Sequence, residues 1–327
     1  MRICVYGAGA IGGHLAARLH LGGADVSVVA RGPHLAAIQA NGLTVHAADG
    51  IHQVKVRASD DPAELGPQDA VFVTVKAPAL PLVAAGIGPL LAADDTPVVF
   101  VMNGIPWWYF LGLGGTLDGR TLPRIDPGDA LLRVVGKRRA VGGVVYSASA
   151  VIAPGVVDVE QPRSRFIIGE IDGSASQRTA DLAALIRAGG VSGEATTEIR
   201  TEIWNKLIGN LAAAPLGVLS GYAPTTTYVD PATRAAALRA MQEAAAIARA
   251  VGAHPHEDHE ERIARQTATE HKPSMLQDLE LGRPMEIDGL LDAPLVLARL
   301  AGVATPTLDL LIALCKQRAR CAGLYGE

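Results

Sequence analysis

The stretch Met1-Arg-Ile-Cys-Val-Tyr-Gly7-Ala-Gly9-Ala-Ile-Gly12-Gly-His-Leu-Ala-Ala-Arg18 decides the fold. Residues 3–6 are an apolar run of strand length, and Leu15, Ala16 and Leu19 continue as one face of a helix. Between them Gly7, Gly9 and Gly12 fall in the spacing G-x-G-x-x-G. In a dinucleotide site each glycine has a task. Gly7 lets the chain turn sharply out of the strand, Gly9 removes a Cβ where a pyrophosphate approaches, and Gly12 lets the helix pack close on the sheet. The N–H groups that open the helix, with its dipole, supply an anion seat. Gly7, Ala8, Gly9, Ala10, Ile11 and Gly12 are therefore the first candidate cofactor-binding residues.

A second strand, residues 25–31, stands where the βαβ unit requires it. At its end a site for NAD usually places an acidic residue to hold the ribose diol, whereas this chain has Arg31. A guanidinium suits a 2′-phosphate, so NADP is the expected cofactor.

With 327 residues, the chain has the length of about two domains with buried cores of their own. Its formal net charge of -4 and lack of a long basic run argue against nucleic acid as a partner. Cys4, Cys315 and Cys321 show neither metal nor redox spacing, which suits a reducing compartment, and with no targeting segment the expected location is cytoplasmic. The longest apolar run, residues 97–115, is broken by Asn103, Pro106 and glycines and reads as a buried strand leading into a loop, not a membrane helix.

Beyond Arg31 a helix is expected over residues 33–41, then strand-like alternation over 43–46 and 53–57. Residues 70–76 and 97–103 are nearly all apolar and β-branched, as in strands buried on both faces, with a crossover helix over 79–91 between them. Strand alternating with helix gives an α/β fold, an N-terminal Rossmann doubly wound sheet. Both buried strands end in a polar residue, Lys76 and Asn103, at the edge where ligands of open α/β sheets bind. Residues 105–139 gather Trp107, Trp108, Tyr109 and Phe110 and read as a substrate lid, a subunit contact or plain packing. Strands over 140–149, 155–161 and 165–170 are expected to complete the sheet.

From about residue 196 the chain reads as helices, so the expected division is an NADP-binding domain over 1–195 and an all-helical substrate domain over 196–327. Lys206, Asn210 and Ala214 are spaced i, i+4, i+8 on the first long helix, among Leu207, Ile208 and Leu211. A lysine there either snorkels or works. Ser274 with Gln277 fits a capping box, and Glu286 sits between apolar residues. His254, His256 and His259 match no standard zinc spacing, and no metal is expected.

Taken together, Gly7-Ala-Gly-Ala-Ile-Gly12, Arg31, Val75-Lys76, Asn103-Gly104, Trp204-Asn-Lys206-Leu-x-x-Asn210 and Ser274 through Glu286-Ile-Asp288 resemble ketopantoate reductase (2-dehydropantoate 2-reductase) over nearly the whole chain. The resemblance implies a Rossmann domain and a helical domain with the active site in the cleft between them, and NADPH-dependent reduction of a branched 2-oxo acid in pantothenate biosynthesis. It makes Lys206 the catalytic lysine and Glu286 the acidic residue near the reacting centre. It also makes Asn210 and Ser274 substrate-binding positions, and Lys76 and Asn103 residues of the cofactor site. Ala214 and Pro224 stand where the family pattern has further asparagines, which leaves open a different 2-oxo acid or related carbonyl substrate. A non-catalytic NADP-binding sensor is the alternative from another class. The expected partner is a small-molecule 2-oxo acid, with no nucleic acid and no membrane, and the apolar helical domain suits a homodimer.

Overall fold

The computed structural model describes residues 1–160, 163–268 and 270–326. The chain divides into two compact units, one of residues 1–102 with 106–199, the other of residues 103–105 with 200–327.

In the first unit the strands are β1 (Arg2–Tyr6), β2 (Asp25–Val29), β3 (Leu43–Ala47), β4 (Gly50–Val54), β5 (Arg57–Ser59) and β6 (Ala70–Val73). They continue with β7 (Val98–Val101), β8 (Ala140–Tyr146), β9 (Ser149–Ala153), β10 (Val156–Val159), β11 (Arg165–Glu170) and β12 (Ser192–Ala195). Among the described residues, eight of them form one sheet in the order β12-β11-β8-β7-β6-β1-β2-β5. From β5 to β8 every pairing is parallel, which is the doubly wound Rossmann order. β11 joins antiparallel to β8, and β12 pairs parallel with β11. All residues of β6 and β7 are buried, and helices including α1 (Ala10–Leu21), α2 (Gly32–Asn41), α3 (Leu80–Gly86) and α4 (Gln177–Ala188) accompany the strands.

Three sequence expectations are corrected. Of the strands expected to complete the main sheet, the one over 155–161 does not join it. β3, β4, β9 and β10 build a separate sheet in the order β4-β3-β10-β9, reached because β3 pairs parallel with β10. The strand expected over 155–161 ends at Val159, and Gln161 lies outside the described residues. The crossover helix expected over 79–91 is shorter, with α3 flanked by tight turns at Ala77–Ala79 and Gly88–Leu90.

The aromatic stretch is core. Trp107 is 3% exposed, while Trp108, Tyr109 and Phe110 are fully covered. Trp107 packs edge-on against Phe100, and Trp108 lies so close to Gly142 of β8 that a Cβ there would stand 2.7 Å from its ring. Burial on this scale makes these four side chains part of the core.

Helix α1 lies between the main sheet and the second sheet, and its small residues make that possible. A Cβ on Gly12 would fall 2.0 Å from the Gly7 carbonyl oxygen, and one on Gly13 2.8 Å from Val157 of β10. An ion pair, with its arginine buried and its aspartate exposed, then ties α1 to the second sheet. Arg18, 3% exposed, donates both terminal nitrogens to Asp49 in the β3–β4 turn, each at 2.6 Å. It also donates to the Gly189 carbonyl at 3.1 Å, and through Nε to His14 at 3.3 Å. Burial, aided by the neighbouring Arg18 charge, pulls His14 down to about 4, which keeps its Nε2 an acceptor.

The helical unit contains α5 (Ile199–Ser220), α6 (Pro231–Ala250), α7 (His259–Gln266), α8 (Ser274–Glu280), α9 (Ala293–Leu300) and α10 (Pro306–Cys321). A π turn at Asp288–Asp292 leads into α9. Among the described residues, no helix is long and apolar enough to cross a membrane.

The Arg18–Asp49 pair gives a stability prediction. Asp49→Ala takes a half-exposed carboxylate from a buried guanidinium that keeps its bond to the Gly189 carbonyl, and costs about 1 kcal/mol, read from denaturant unfolding. The Arg18 hydrogen bonds hold the Asp49 carboxyl well below the usual carboxylate range. The stabilisation is therefore complete above that range and is lost as pH falls below it through the depressed range of Asp49, so wild type and variant converge only in strong acid.

Candidate active site

In the first unit, the glycine turn sits at the carboxyl ends of β1 and β6, where the strand order reverses direction. Gly7 has φ +106°, and a Cβ there would stand 2.6 Å from Val75 Cγ1. The N–H groups of Gly7 and Ala8 both donate to the Val29 carbonyl, at 3.0 and 3.2 Å, which pins the turn to the end of β2. Gly9 has the opposite property, being exposed where a Cβ would meet nothing within 4 Å. Ala8 is buried, and Ala10 and Ile11 are half-buried in the first turn of α1. A helix opening at Ala10 leaves first-turn N–H groups without intrahelical acceptors, at the positive end of its dipole. An open Gly9 beside those donors fits a dinucleotide pyrophosphate.

Two residues that the sequence did not single out hold this turn. Thr74, just beyond β6, donates its hydroxyl to the Gly7 carbonyl at 2.6 Å. His34 lies in α2, with Nε2 2.7 Å from the Ala8 carbonyl oxygen and Nδ1 3.0 Å from the Gly155 backbone nitrogen. A backbone N–H only donates, so Nδ1 accepts and the ring proton is assigned to Nε2, where it donates to Ala8. Neither residue belongs to a motif, and both partners are distant backbone groups, so no local signal marks them. Arg31 is exposed at the start of α2, and Lys76 is exposed where β6 passes into the turn at Ala77–Ala79. Both stand at the carboxyl edge of the sheet.

In the second unit, α5 carries Lys206, Asn210 and Ala214 on one face. Lys206 is half-buried beside the fully covered Trp204, Ile208 and Leu211. Its Nζ donates to Asn103 Oδ1 at 2.7 Å. Loss of water lowers the Lys206 ammonium to about 8, against the opposing attraction of the Glu286 carboxylate. Lys206, Asn103 and Glu286 thus form one electrostatic group, and a lysine poised there holds a proton near neutral pH and releases it readily.

The remaining candidates are less gathered. Asn210 is half-buried one turn along α5, and Ala214 is 2% exposed. Pro224 opens a short helix, Pro224–Thr227, and is buried. Ser274 is exposed as the first residue of α8. The expected capping box is absent there, because Pro273 flanks the helix and Gln277 donates its amide to the Lys272 carbonyl at 2.9 Å. The histidine segment is tied down by its backbone: His254 and His256 donate N–H groups to Thr201 Oγ1 and Asn205 Oδ1. Among the described residues, no cluster of metal-ligand side chains occurs.

Two family profiles match this chain: ketopantoate reductase PanE/ApbA over residues 3–173, and ketopantoate reductase PanE/ApbA C terminal over residues 198–319. A 2-dehydropantoate 2-reductase of Mesorhizobium japonicum is 44% identical over 99% of this chain and 100% of its own. A solved protein from Ralstonia solanacearum MolK2 is 42% identical, covers 99% of both chains and superposes with a TM-score of 0.91. The structure of 2-dehydropantoate 2-reductase from Geobacter metallireducens is 30% identical over 97% of this chain and 99% of its own, with a TM-score of 0.85. The profiles account for both the glycine turn and the helix bearing Lys206, and the chain belongs to the ketopantoate reductase family, a family of oxidoreductases.

Proposed function

We propose that the protein reduces the C2 carbonyl of 2-dehydropantoate to pantoate with NADPH, with Lys206 as the proton donor. The observation that carries the reading is the Lys206 ammonium, held by Asn103 at 2.7 Å and lowered to about 8 beside Glu286. Bound NADPH supplies the hydride. Negative charge then develops on the former carbonyl oxygen, and the Lys206 ammonium stabilises it and delivers a proton. Glu286 keeps the lysine charged until that moment, and Asn103 fixes where its nitrogen points. Asn210 and Ser274 are read as substrate-binding residues.

On the cofactor side, Gly7, Ala8, Gly9, Ala10, Ile11 and Gly12 are read as the pyrophosphate seat, with Lys76 beside it. Arg31 is read as the partner of the 2′-phosphate, supported by its exposure at the end of β2. The two units are accordingly read as an NADP-binding domain and a substrate domain.

The absence of polar groups at the buried positions Ala214 and Pro224 favours a second reading, a different 2-oxo acid. Val296 and Leu300 on α9, with Leu310 and Leu314 on α10, expose apolar side chains that support a homodimer. A monomer at micromolar concentration in sedimentation contradicts it.

Lys206→Ala lowers kcat for ketopantoate reduction by roughly 100- to 10,000-fold. An unchanged rate refutes the proton-donor role, while wild-type turnover of another 2-oxo acid but not ketopantoate selects the second reading. A donor must be protonated, so wild-type kcat holds below about pH 8 and falls above it. Glu286→Gln removes the charge that raises Lys206, so this alkaline limb moves to lower pH. Arg31→Ala weakens NADPH binding by roughly 10- to 100-fold, the worth of a charged hydrogen bond, and leaves NADH binding unchanged. Equal losses for the two cofactors contradict the role of Arg31.

A further inference from the structure

The π turn at Asp288–Asp292 has a backbone consequence within the helical unit. The Ala293 N–H donates to the Asp288 carbonyl, five residues back, and so bypasses Gly289, its ordinary α-helical acceptor. The next donor in the π register belongs to residue 294, which is a proline and has no N–H. The buried Gly289 carbonyl is therefore left without these helical partners, and a buried carbonyl requires one. The N–H of Ile105 supplies it at 2.8 Å.

Gly104 makes that approach possible. Its φ is +82°, and a Cβ there would stand 2.3 Å from the Gly289 oxygen and 2.8 Å from the Leu290 nitrogen. Backbone thus lies directly on backbone. One residue before this joint is Asn103, which accepts from Lys206. Three residues before Gly289 is Glu286, whose charge acts on the same ammonium. A single joint fixes both partners of the lysine.

We propose that Gly104, Gly289 and Pro294 are positioning residues that hold Asn103 and Glu286 to Lys206 through the hydrogen bond from Ile105 to the carbonyl freed by the π turn. This rests on the reading of Lys206 as proton donor. The π turn is then retained for its released carbonyl, consistent with the frequent occurrence of such turns at functional sites.

The test measures kcat, KM for both substrates, and the pH dependence of kcat for Pro294→Ala and Gly104→Ala, with Lys206→Ala as reference. Pro294→Ala restores an N–H that competes for Gly289, so the alkaline limb shifts to lower pH and kcat drops, with thermal stability and KM for NADPH preserved. Gly104→Ala lowers kcat by roughly 100-fold, the cost of about 1 Å of misplacement in a catalytic group. If Pro294→Ala folds and keeps wild-type kcat and pH limb while Lys206→Ala is inactive, the positioning role is refuted. If Lys206→Ala itself keeps its rate, the proton-donor reading fails instead. Should Gly104→Ala not fold, Pro294→Ala decides alone.

Discussion

The proposed chemistry depends on keeping one ammonium where water is scarce. Lys206 stands among Trp204, Leu207, Ile208 and Leu211, and dehydration there disfavours its charge. Glu286 works against that loss through space, and Asn103 through a direct hydrogen bond. The balance leaves the lysine far enough below its ordinary range to give up a proton and still charged at neutral pH. An isolated lysine on an apolar face would neutralise or snorkel away. The carboxamide and the carboxylate are what make the position usable.

Close approach of backbone to backbone recurs in both units and is made each time by glycine. Gly12 brings α1 against the Gly7 carbonyl, Gly189 brings α4 against the Arg18 carbonyl, and Gly104 brings the segment after β7 against Gly289. In the first unit these contacts lock the glycine turn in place, with Thr74 and His34 satisfying its carbonyls. Gly9 is the exception, since its missing side chain meets open space where the turn faces outward.

Much of this was legible in the sequence, for identifiable reasons. The strands β6 and β7 are buried on both faces, so their composition announces them. The glycine spacing records hard steric limits, which is why it reads at sight. Lys206 was visible because a charge on an apolar helix face is out of place. The second sheet was not visible, because half-buried strands alternate in the same way whichever sheet they join. Whether Trp107 to Phe110 cover substrate or fill a core depends on what lies opposite, and Gly142 is over thirty residues away in sequence. The π turn is likewise silent, since its only local mark is Pro294, a residue equally at home in the first turn of an ordinary helix.

As a proton donor, Lys206 must carry a proton that it can release near neutrality. The most direct measurement is the titration of its side chain by NMR in protein labelled at lysine, assigned with Lys206→Arg. A titration near pH 8 is expected. A Lys206 signal that titrates with the ordinary lysines above pH 10 would contradict it.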